Sequence, residues 1–77
     1  MNKQLQKIEK EVSEKYLLDK YKAVCEVILD TKMYIKFLQT EECAKFLGSE
    51  PAKAQLVTSE RGLAVREAEK AFLESQL

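Results

Sequence analysis

Between Leu17 and Leu38 the residues Leu17, Tyr21, Val24, Ile28, Thr31, Ile35 and Leu38 follow one another at alternating spacings of four and three. Side chains repeating at that interval share one face of an α-helix, so this stretch is committed to a long helix with an apolar seam. Thr31 is the seam's only polar member. Leu18, Cys25 and Leu29 widen it on one flank, and Ala23, Val27 and Tyr34 on the other, giving a face broader than a two-stranded coiled coil uses. Residues 16–39 are therefore expected to form the central core helix. It could pack against the C-terminal helices of its own chain, or also pair with a second copy, and the spacing leaves both open.

The rest of the composition agrees with helix. Two glycines and one proline in 77 residues supply too little turn chemistry for a sandwich or barrel. The expected fold is an all-α small helical bundle in a single domain, 1–77. A chain of this length buries only about 60% of its unfolded surface, so its core is thin and a homo-oligomer would help to stabilise it.

Residues 1–15 form an expected amphipathic N-terminal helix or arm. Leu5, Ile8 and Val12 make a narrow interaction stripe amid Lys3, Lys7, Glu9, Lys10, Glu11 and Glu14. Continued by heptad rules this stripe reaches Lys15 and Asp19 instead of Leu17 and Tyr21, which predicts a kink, break or change of partner near Ser13–Tyr16.

Residues 40–61 have the pattern of a helix-turn-helix unit. Thr40 is the expected N-cap, with Glu41 and Glu42 in the first turn where carboxylates meet the positive end of the helix. The first helix should run through Cys43, Phe46 and Leu47 and stop at Gly48. Ser49 should cap the second, with Glu50 and Pro51 in its first turn. Cys43, Ala44, Leu47, Gly48, Ala54 and Val57 form the expected turn and inner face. A break is predicted near Gly62, followed by a closing helix over 62–77 with Ala64, Val65, Ala68, Ala71 and Phe72 on its packing face and Phe72 as main anchor.

Charge and inventory limit the function. Thirteen basic and thirteen acidic residues cancel, so no global field draws the chain to nucleic acid or to an acidic membrane. With no long apolar run, neither a membrane span nor a signal peptide is expected, and a cytoplasmic location follows. Cys25 and Cys43 lack C-x-x-C spacing and are expected as buried, reduced thiols. No catalytic residues, metal, cofactor or small-molecule substrate is expected, because the chain has no histidine, no phosphate-binding glycine loop and no metal motif. The pairs Glu41 and Glu42, and Glu67 and Glu69, project in different directions on a helix.

With TEECAKFLG before the turn and RGLAVREAEKAFLE after it, residues 39–74 resemble the excisionase-type and MerR-like helix-turn-helix DNA-binding proteins. The resemblance implies a second helix approaching the major groove, with Lys53, Gln55, Thr58, Ser59 and Arg61 facing DNA and Lys45 touching a phosphate. The β-wing of those regulators has no room here. The run CEVILDTKMYIKFLQTEE followed by SEPAKAQLV is also similar to the YlbF-type small helical adaptor proteins, which implies interaction with protein. Two expectations follow: a dimeric DNA-associated regulator, or a protein–protein interaction module such as a phage- or plasmid-type inhibitor, adaptor or assembly protein with no nucleic-acid contact.

Overall fold

The computed structural model describes residues 2–77, which form three helices. Helix α1 spans Lys3–Leu38, α2 spans Glu41–Leu47 and α3 spans Ser49–Gln76. Among the described residues there is no strand. Helices α1 and α3 lie antiparallel: Tyr21 Oη donates to Glu74 Oε2 at 2.6 Å, Lys20 pairs with Glu69 and Lys32 with Glu67, both at 3.7 Å, and Tyr34 Oη donates to Gln55 Oε1 at 3.3 Å. The molecule is a helical hairpin with α2 folded into its tip. Its extents of 64 × 16 × 14 Å make it a rod.

Local chemistry fixes the ends of the elements. Asn2 caps α1 by accepting from the backbone N–H groups of Gln4 and Leu5. Thr40 turns the chain twice over, since its hydroxyl donates to the Phe37 carbonyl at 2.6 Å and accepts from the Cys43 N–H at 3.2 Å. Gly48 separates α2 from α3 with φ +90° and ψ 155°, a conformation in which a side chain is strained. It ends α2 by donating its N–H to the Ala44 carbonyl and opens α3 by accepting from Ala52. Ser49 is accordingly the first residue of α3 and not its cap, and the true cap, Gly48, has no side chain to offer.

Two predicted breaks do not exist. Helix α1 runs without interruption through Ser13–Tyr16, which holds neither glycine nor proline. The change of phase there marks where α3 begins to cover one face of α1, not a change of backbone. Helix α3 likewise passes through Gly62, so the boundary expected between 61 and 62 is absent. A glycine inside a helix costs only about 1 kcal/mol against alanine, and the flanking Glu60, Arg61, Leu63 and Ala64 together with packing on α1 offset that cost.

The seam of α1 is placed as its spacing demands. Val24, Ile28 and Leu38 are buried, and Leu17, Tyr21, Thr31 and Ile35 are half-buried. What covers this seam is α3 of the same chain. Val24 and Ile28 cluster with Leu73, flanked by Leu17, Tyr21 and Leu63, while Leu38 clusters with Cys43 and Ala52, flanked by Leu56.

The inner face of α3 differs from the expected one. Ala52, Leu56, Ser59, Leu63, Glu69, Lys70 and Leu73 are its buried or half-buried members, whereas Ala64, Val65, Ala68, Ala71 and Phe72 face solvent. Phe72 is 62% exposed and anchors nothing, and the neighbouring Leu73 fills that role at 5%.

Candidate interaction surfaces

The segment expected as a helix-turn-helix unit is occupied by α2, Gly48 and the first turns of the long helix α3, and the core between them is narrower than expected. Cys43 is fully buried beneath Leu38 and Ala52, as its position on the inner face requires. Ala44, Leu47, Ala54 and Val57 are exposed, because α2 has only seven residues and α3 turns Ala52 and Leu56 inward instead. Ala44 borders a shallow groove of about 390 Å³ with Leu38, Thr40, Ser49, Ala52 and Lys53.

The residues expected to face DNA do not share a face. Ser59 is half-buried against α1 beside Thr31 and Tyr34, and Gln55 accepts from Tyr34 Oη, so both belong to the hairpin's own packing. Thr58 returns its hydroxyl to the Ala54 carbonyl at 3.2 Å. Lys53 lies 3.7 Å from Glu50, whose carboxylate partly offsets its charge. Arg61 stands two residues beyond Ser59 and so projects away from α1, and Lys45 is exposed on α2. Of the six, Lys45 on α2 and Lys53 and Arg61 on α3 carry charge to solvent, so the cations are divided between two elements.

Electrostatics concentrate at the open end of the hairpin. The Tyr21 phenol is pushed up to about 12, first by its hydrogen bond to the Glu74 carboxylate, which would be lost on ionisation, and then by burial. Glu69 is held below its ordinary value chiefly by the hydrogen bond from the Arg66 guanidinium at 2.8 Å, with Lys20 adding to the effect and partial burial opposing it. These groups tie α1 to α3 and rim the seam. Among the described residues no group of three or more acidic or cysteine side chains could hold a metal ion, and no helix is long and apolar enough to cross a membrane. Both thiols are free, Cys25 half-buried and Cys43 buried.

The apolar stripe of the N-terminal helix is left without a partner in the chain. The C-terminal end of α3 reaches the level of Glu14, Leu17 and Leu18, where Gln76 and Leu77 close a small cleft. Below that level α1 continues alone, with Leu5 56%, Ile8 54% and Val12 63% exposed. The stripe does not stop there: Leu5, Tyr16 and Val27, and Val12, Ala23 and Tyr34, each recur at intervals of eleven residues. An eleven-residue interval is close to three helical turns, so these positions stay on one side of a straight helix. This continuation was missed in the sequence because a heptad reading of the stripe meets Lys15 and Asp19 where it looks for apolar residues. In comparisons with known proteins the chain matches no family model, no curated protein and no solved structure.

Proposed function

We propose that this chain is a non-enzymatic helical interaction module. In this reading the α1/α3 hairpin is a stiff support, and the first four turns of α1 are the docking element that it holds out. The observation that carries it is the exposure of Leu5, Ile8 and Val12 on a helix that extends past its intramolecular partner. Isolated helices of that length are marginal in water, and an apolar stripe on one gains its stability when another surface covers it.

The scatter of Lys45, Lys53 and Arg61, with Ser59 and Gln55 engaged in the hairpin, favours this reading over an approach of α3 to the major groove. A gel shift against genomic DNA fragments at low salt separates the two. The interaction reading expects no retardation at micromolar protein. Retardation that falls steeply with salt and disappears in Lys53→Glu with Arg61→Glu would replace it with the DNA-associated regulator.

A further inference from the structure

We infer that the N-terminal stripe of α1 is a self-association surface, on which a second copy of this chain docks antiparallel about a two-fold axis near Ser13. The inference rests on the interaction reading and names the partner. The heptad seam that would ordinarily be assigned to such a dimer is already covered by α3. Self-association must therefore use another face, and the exposed positions Leu5, Ile8, Val12, Tyr16 and Ala23 provide one.

The stripe is complementary to itself in that orientation. With the axis at Ser13, Val12 of one copy inserts between Val12 and Tyr16 of the other, and Ile8 lies against the second copy's Tyr16. The small Ala23 receives Leu5 near the far end. The charges agree with this register. Glu11 and Lys15 lie one turn apart on the same flank of the stripe, so the two-fold sets Glu11 of each copy opposite Lys15 of the other, twice over. Both side chains are exposed, and among the described residues neither forms an ion pair within its own chain. A parallel pairing would instead align Glu11 with Glu11 and Lys15 with Lys15.

The overlap of residues 3–23 is about 30 Å of helix, which places the contact near the lower bound of stable interfaces, about 1,000 Å² in total. The dimer should dissociate on dilution. Because the stripe is remote from both buried clusters, substitutions in it can be read without unfolding the hairpin.

The test is sedimentation equilibrium of the full chain over a range of concentrations, with circular dichroism confirming helix content for each variant. The unmodified chain should dimerise. Glu11→Lys and Lys15→Glu should each weaken the dimer about five-fold, from the loss of two exposed ion pairs, and the double variant should restore it. Val12→Asp should leave a folded monomer. A chain that stays monomeric at all concentrations, a dimer indifferent to Val12→Asp, or a double swap that fails to rescue would each overturn the inference. A monomer whose stripe still binds a different protein leaves the interaction reading intact, whereas salt-sensitive DNA retardation overturns that reading whatever the oligomeric state.

Discussion

The two glycines of this chain do opposite things, and their environments say so. Gly48 sits at φ +90° with ψ 155°, a region that is essentially closed to residues with a Cβ, although an added Cβ would meet Pro51 Cδ only at an ordinary contact distance of 3.5 Å. Gly48→Ala should therefore cost about 1–3 kcal/mol. Gly62 lies inside α3 with nothing within 4 Å of an added Cβ. Gly62→Ala should gain about 0.5–1 kcal/mol by removing conformational freedom from the unfolded chain. Urea denaturation of the two variants checks both signs, and a destabilised Gly62→Ala would mean that α3 bends or opens there. Tyr21 gives a prediction in pH. Its folded pKa of about 12 lies above the ordinary 10, so its bond to Glu74 supports the fold fully below pH 10 and loses that support as pH rises through about 12. Absorbance titration at alkaline pH should show a late tyrosinate step, and Tyr21→Phe should remove it; a late step that survives the substitution would show that the bond to Glu74 is not its source.

At the scale of the element, the inner face of α1 was legible and that of α3 was not, for one physical reason. The seam of α1 is apolar at every position but Thr31, so spacing alone located its inner face. The seam of α3 runs through Ala52, Leu56, Ser59, Leu63, Glu69, Lys70 and Leu73, where a hydroxyl and two charged side chains break the pattern. Lys70 can lie half-buried because its methylenes cover apolar surface while its ammonium reaches water. Ala64, Val65, Ala68, Ala71 and Phe72 offer the richer stripe in sequence, yet they face solvent because Leu63 and Leu73 fix the rotation of the helix against Val24 and Ile28. The adjacent pair Phe72 and Leu73 tests this rotation. Leu73→Ala should destabilise by about 2–5 kcal/mol by leaving a cavity in the cluster, while Phe72→Ala should stay within about 0.5 kcal/mol. Equal losses in thermal or urea unfolding would mean that α3 is rotated from the position described. The docking stripe was half legible: Leu5, Ile8 and Val12 stand out in sequence, but their isolation depends on where α3 ends relative to α1, which no local pattern encodes.

The whole molecule is a rod with two small cores and a polar waist between them. One core joins Val24, Ile28 and Leu73, and the other joins Leu38, Cys43 and Ala52 at the tip. Between them Thr31, whose hydroxyl turns back to the Val27 carbonyl at 2.8 Å, and Ser59 line a groove of about 500 Å³ with Asp30, Tyr34 and Gly62. Two small polar side chains beside a residue with no side chain give little apolar burial to couple one core to the other. The hairpin should consequently open from its free end in stages and not as one unit. Native-state hydrogen exchange of Leu73→Ala examines this directly. The expected outcome is a loss of protection over residues 17–28 and 63–76, with residues 35–56 keeping most of theirs, because the tip is closed by the Thr40 cap and by Cys43, neither of which touches Leu73. A uniform loss along the rod would show instead that α1 and α3 transmit strain as continuous helices across the waist, so that the two cores rise and fall together.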